Sequence, residues 1–176
     1  VPRIPAETFT GQAEEVEMPL VSPPRLLFEP FIETDKVRVV GQELRVYDRS
    51  SWIEVTVSVL EREGVLKALS PSITVAEGVV LSVEEKFQGG TGVNLTPPPP
   101  DILSARVVQQ VRTRIERVAQ RLGIRGYARI DAFVERRSGR VMVIEANTLP
   151  ALTPSTVLFH QGLAESLPIM PRELLE

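Results

Sequence analysis

The most regular stretch of the chain is WIEVTVSVLE, residues 52–61, where Val55, Val57 and Val59 alternate with Glu54, Thr56 and Ser58. Period-two alternation of β-branched residues predicts a strand with one face in a core. A second alternation, KVRVVGQELRVYD (36–48), is interrupted at Gly41–Gln42 and predicts a hairpin. VLKALS (65–70), after Glu63–Gly64, predicts another return strand. RLLFEPFIE (25–33) is a short apolar run, read as a strand that Pro30 ends or bulges. The period becomes helical over 101–123, where Val107, Val108, Val111, Ile115, Val118, Ala119 and Leu122 form one stripe. Asp101 or Ser104 is the expected cap, and Gly123 the stop. Strands are expected at 125–136 and 140–147. A second helix should follow, with Thr153 or Ser155 as N-cap and Pro154 near its first position, and the tail should be helical near PRELLE. Residues 1–24 carry Pro2, Pro5, Pro19, Pro23 and Pro24 without a period and are expected to be an irregular lead-in. FQGGTGVNLTPPPP (87–100) reads as a loop that glycine frees and proline stiffens. Strands, then a long helix, then a hairpin and a helix predict an α+β fold with a mainly antiparallel sheet and packed helices.

Composition narrows the chemistry. A net charge of −3 offers nothing for nucleic acid or an anionic membrane, and no apolar stretch is long enough to span a bilayer. Cytoplasmic residence is the expectation. The chain has no cysteine and a single histidine, His160, which excludes thiolate sites and zinc sites built on several histidines. Arg106, Arg112, Arg114, Arg117 and Arg121 on the long helix read as a solvated face balanced by Glu116, since no aromatic residues interleave with them.

The polar positions of RIDAFVERRSGRVMVIEAN (129–147) are the ones that need explaining. Arg129, Asp131 and Phe133 share one strand face, with Ile130, Ala132 and Val134 on the other. If Gly139 closes a three-residue loop in the left-handed conformation, Arg136 faces Arg140, Asp131 faces Glu145 and Arg129 faces Asn147. Val141 and Val143 then share the face of Glu145 and Asn147. Facing carboxylates repel. A hard cation between them resolves the repulsion, and carboxylate and amide oxygens suit Mg2+, which normally shares its shell with phosphates. A solvent-facing strand pair, with Arg129 balancing the acids, is the competing account. The turn into a helix N-terminus at Thr153–Ser155 adds an expected anion site.

GYARIDAF, followed by VMVIEANTLPALTPSTVLFHQG, resembles the C-terminal motifs of the ATP-grasp superfamily, most closely D-alanine–D-alanine ligases. The resemblance spans roughly residues 26–165. It implies that residues 25–176 are the C-terminal part of an ATP-grasp fold, and that Asp131, Glu145 and Asn147 hold two Mg2+ ions (Mn2+ being an acceptable substitute) around ATP. Arg129 would be catalytic, stabilising the acyl phosphate and the tetrahedral intermediate. Glu29 and Ile32 would meet the base, Glu54 the ribose and Lys86 the phosphates. Ser155 and Thr156 would lie where the second amino acid is gripped. The chemistry implied is carboxylate–amine ligation through an acyl phosphate, acting on small amino and carboxylic acids in peptidoglycan biosynthesis, and a homodimer is compatible with it. The sequence departs from the family at Phe87 (usually tyrosine), at Ala151 (usually glycine) and in the inserted segment 33–51, which leaves room for another substrate. Residues 1–24 lack the family's phosphate-covering loop, and the chain opens on Val1. This predicts the C-terminal half of a larger enzyme, inactive without its N-terminal part. The alternative is a non-catalytic nucleotide-binding or assembly module that kept the fold.

Overall fold

The computed structural model describes residues 3–5, 15–17, 29–40, 43–75, 93–153 and 156–175. The chain forms two compact units, Val1–Phe31 and Ile32–Glu176. In the first, β1 (Arg3–Pro5) and β2 (Glu15–Glu17) pair antiparallel, with Ile4 opposite Val16, so the lead-in is not irregular throughout. The strand expected over 25–33 is absent from its described part, 29–33. Pro30 has no N–H to give a ladder there.

The second unit holds β3 (Lys36–Val40), β4 (Glu43–Tyr47), β5 (Trp52–Arg62), β6 (Val65–Ala68), β7 (Ile73–Val75) and β8 (Val93–Leu95). They are followed by α1 (Ala105–Arg121), β9 (Tyr127–Glu135), β10 (Val141–Asn147), α2 (Val157–Leu163) and α3 (Pro171–Leu175). Every named pairing is antiparallel, and the main sheet runs β10-β9-β5-β6. β3 and β4 form the expected hairpin, and β5 turns into β6 through Glu63 (φ 52°) and Gly64 (φ 75°). Two successive positive φ values are what a two-residue connection with the twist of the strands requires. Residues 93–95, expected as loop, pair with β7.

Alternation places Val55, Val57 and Val59 of β5 with Ile130, Ala132 and Val134 of β9 on one face. They are buried with Val107, Val111, Ile115 and Ala119 of α1. Of the two expected caps Ser104 is the one used, its hydroxyl accepting from Val107 N–H, so the helix begins at Ala105. Leu122, assigned to the apolar stripe, is 59% exposed because it lies beyond the last turn of α1.

Segment 33–51 is pinned by Asp35. Its buried carboxylate accepts N–H groups from Arg49, Ser50 and Ser51 and a hydrogen bond from Arg136 Nη1 at 3.1 Å. Arg136 also donates to the carbonyls of Ile102 and Asp101, joining the β9–β10 turn to the start of α1. Burial alone raises the Asp35 pKa, but the hydrogen bonds from Ser50, Arg49, Arg136 and Ser51 together hold it below 3.8.

Candidate active site

The second face of the sheet is divided. At the Leu60 end of β5, Leu60 and Leu69 pack beneath Leu158 and Phe159 of α2 and Leu174 of α3. Toward the Glu54 end the face is open. Strand register lays the polar part out in rows: Met142, Phe133 and Glu54, then Glu145, Asp131 and Thr56, then Asn147, Arg129 and the buried Ser58.

The facing of Asp131 with Glu145, and of Arg129 with Asn147, is as expected, but the route to it differs. Glu135 N–H bonds to Arg140 O and Gly139 N–H to Glu135 O, closing a four-residue loop rather than three. The Glu135 carboxylate takes the N–H groups of Arg137 and Ser138, which favours the longer loop. Gly139 sits at φ +67°, which favours glycine, and a Cβ there would also press on the Gln110 side chain, 2.6 Å from its Oε1. The extra loop residue shifts the pairing to Val141↔Val134 and Val143↔Ala132. A bulge at Ile144 then restores it to Glu145↔Asp131. Val141 and Val143 therefore lie on the α1 face, not with Glu145 and Asn147, and Met142 takes the open face. Without the bulge Glu145 would oppose Ile130, on the core side.

The acids do not face each other bare. Asp131, its side chain 13% exposed, accepts at Oδ2 from Arg129 Nε (3.2 Å) and Asn147 Nδ2 (3.4 Å), with Arg129 Nη2 at 3.1 Å. Its Oδ1 accepts from the Thr56 hydroxyl at 2.8 Å. Asn147 Nδ2 also donates to Glu145 Oε1 at 2.9 Å, and Arg129 Nη2 lies 3.9 Å from that same oxygen. The guanidinium and the amide thus already offset the repulsion that seemed to call for a metal. The donor set nonetheless fits a hard cation. Among the described residues no cluster of three His, Cys, Asp or Glu exists, but Mg2+ needs only one or two carboxylates when phosphates complete its shell. Asp131 and Glu145 supply those, and the Asn147 amide oxygen is a further hard ligand.

The remaining expected residues are less gathered. Glu54 is exposed on the open face opposite Phe133. Ile32 is half-buried in irregular chain, Ala151 is exposed, and Glu29 is exposed in the first unit. Lys86, Phe87 and Ser155 lie outside the described residues. Thr156, half-buried, is the N-cap of α2 and makes no side-chain cap bond. The helix begins at Val157 and has seven residues, so the anion site expected at Thr153–Ser155 is not built by a long helix. Three residues escaped the sequence reading. Phe133 and Met142 form an apolar strip beside Glu54, and Thr56 holds Asp131. Only the alternation that put Phe133 on Asp131's face pointed to any of them.

Residues 36–166 match the profile of the "D-ala D-ala ligase C-terminus" family. The chain belongs to this family. It is similar to the D-alanine–D-alanine ligase of Nitratidesulfovibrio vulgaris, 32% identical over 126 residues, covering 70% of this chain and 39% of the relative. The D-alanine–D-alanine ligase of Carboxydothermus hydrogenoformans is 28% identical over 135 residues, 75% of this chain and 41% of the relative. The D-alanyl-alanine synthetase A structure from Vibrio cholerae superposes with a TM-score of 0.52 at 27% identity, over 75% of this chain and 38% of that one. The fold alone is shared with the Bacillus anthracis D-alanine–D-alanine ligase complexed with ATP, at a TM-score of 0.51, 19% identity, 82% of this chain and 36% of that one. The sheet and helices described above are thus the C-terminal part of an ATP-grasp fold. The chain spans about two fifths of the length of these relatives.

Proposed function

We propose that this D-Ala–D-Ala ligase C-terminus domain is the catalytic half of an ATP-dependent ligase that joins a carboxylate to an amine, with D-alanine the first substrate to try. The observation that carries the reading is the convergence of Arg129, Asp131, Glu145 and Asn147 on the open half of the sheet face, within one hydrogen-bonded cluster. In the reaction a substrate carboxylate oxygen attacks the γ-phosphorus of ATP, ADP leaves, and an acyl phosphate results. The amine nitrogen then attacks the acyl carbon, phosphate leaves, and the nitrogen gives up a proton. Both steps gather negative charge on oxygen, so positioned cations matter more than a general base.

Arg129 stands at the edge of the acidic row with its side chain 33% exposed, where it would meet that charge. Asp131, Glu145 and Asn147 would hold Mg2+, which when bound supplies charge neutralisation of the phosphates. Glu54 would accept from ribose hydroxyls, beside an apolar floor of Phe133 and Met142 for the base. Glu29, Ile32, Lys86, Ser155, Thr156 and Ala151 keep the roles that the family resemblance gives them, and Phe87 is assigned to the substrate side. Because the match covers only 39% of the relative's length, the 176 residues alone are expected not to turn over, the remaining walls of the site coming from the rest of a full-length protein.

The test is phosphate release by the full-length protein with ATP, Mg2+ and a panel of amino acids that includes D-alanine. At least one acid should stimulate release, and Arg129→Ala should lower kcat by about 10²–10³ with ADP binding retained. ADP binding without release on any acid would favour a nucleotide-binding module instead.

A further inference from the structure

On the side away from β9, β5 loses its strand partner where the site begins. Its pairing with β6 ends at Val59↔Ala68, and the chain rejoins it only through the bridge Thr56↔Ser72. There Thr56 N–H bonds to Ser72 O at 2.9 Å and Ser72 N–H to Thr56 O at 2.8 Å. Leu69, Ser70 and Pro71 span the gap opposite Val57 and Ser58, one residue more than a regular ladder would use. Leu69 N–H reaches Ser58 O, and Ser58 N–H is met by a side chain.

That side chain is Gln161 of α2, fully buried. Its Oε1 accepts from Ser58 N–H at 2.8 Å, and its Nε2 donates to Thr56 O at 2.8 Å and to Ser72 Oγ at 2.9 Å. One primary amide therefore occupies the place of a peptide group in the missing strand. These three hydrogen bonds satisfy the buried amide, and removing it would take away the partner of the Ser58 N–H.

The same residue, Thr56, carries the arrangement into the site. Its hydroxyl donates to Asp131 Oδ1. A β-branched side chain has a stiff χ1, so a pinned backbone fixes where that hydroxyl points. With Oδ1 taken, Asp131 turns Oδ2 toward Arg129 and Asn147. We infer that Thr56 is a positioning residue for Asp131, and that Gln161 holds Thr56 in place, so that α2 sets the aim of the carboxylate offered to the metal. This rests on the proposed ligand role of Asp131.

Ligand-orienting partners of this kind typically change metal affinity by about 10–100-fold when removed. The experiment is calorimetric titration of ADP into the full-length protein at a series of Mg2+ concentrations, with thermal unfolding as a control. Thr56→Val keeps the shape and removes the hydroxyl. It should raise the Mg2+ concentration needed for half-maximal enhancement of ADP binding about tenfold or more, leave metal-free ADP binding unchanged, and be rescued by Thr56→Ser. Gln161→Met should shift the Mg2+ midpoint in the same direction and lower the melting temperature. A Thr56→Val midpoint equal to wild type, where Asp131→Asn abolishes the enhancement, overturns the positioning role and leaves the site reading standing. An Asp131→Asn protein that behaves as wild type overturns both.

Discussion

Two halves of one sheet face carry opposite designs. Near Leu60 the face is apolar and capped by Leu158, Phe159 and Leu174. A few residues along the same strands it carries Arg129, Asp131, Glu145 and Asn147, with Glu145 57% exposed. The first half repays its residues by removing apolar surface from water. The second gains little in stability: its ion pairs are partly exposed, and exposed pairs contribute only about 0–1 kcal/mol. Charged residues collected where apolar ones would stabilise more, beside β5 and β9 whose other face is buried, point to function rather than folding.

The contrast can be broken by substitution. Leu158→Ala empties part of the cap and should lower unfolding free energy by about 2–5 kcal/mol in denaturant titration, with ADP affinity of the folded protein unchanged. A large loss of affinity with little loss of stability would mean that the halves are not separable. Asp35→Asn tests the anchoring of the β3–β4 hairpin, away from both halves. Replacing a carboxylate that serves three N–H groups and Arg136 should cost about 1–3 kcal/mol. Because the folded pKa of Asp35 lies below its ordinary 3.8, its contribution is present above that value. It should fade as pH falls through the folded value. Acid titrations of wild type and Asp35→Asn should therefore converge below about pH 4, and parallel curves would contradict the assignment. The smallest expected effect is on Glu145. Facing acids cost a sheet about 0.2–1 kcal/mol, so Glu145→Gln should be neutral or stabilising by that amount while the Mg2+ requirement for ADP binding rises. Destabilisation by several kcal/mol would make Glu145 a structural residue.

Much of this was legible in the chain. Val55, Val57 and Val59 announced β5 and its buried face, and the stripe from Val107 to Ala119 announced α1, because both patterns are local and periodic. The facing of Asp131 with Glu145 was also legible, though by cancellation: the loop is one residue longer than Gly139 suggested, and the Ile144 bulge takes that residue back. Neither deviation has a local periodic mark, and the loop length follows from which N–H groups the Glu135 carboxylate satisfies. The role of Gln161 was hidden for a related reason. A lone polar residue in a short helix carries no period, and its partners, Thr56, Ser58 and Ser72, lie more than 80 residues away. The short pairs β1–β2 and β7–β8 were missed because three-residue strands hold too little alternation to stand out beside proline and glycine.

The claim at the centre is that the open half of the face holds a metal–nucleotide complex through Asp131. The most direct measurement is calorimetry of the full-length protein with ADP, with and without Mg2+, comparing wild type and Asp131→Asn. The account predicts that Mg2+ strengthens ADP binding to the wild type and that this enhancement disappears in the folded variant. An enhancement of equal size in both proteins would contradict it.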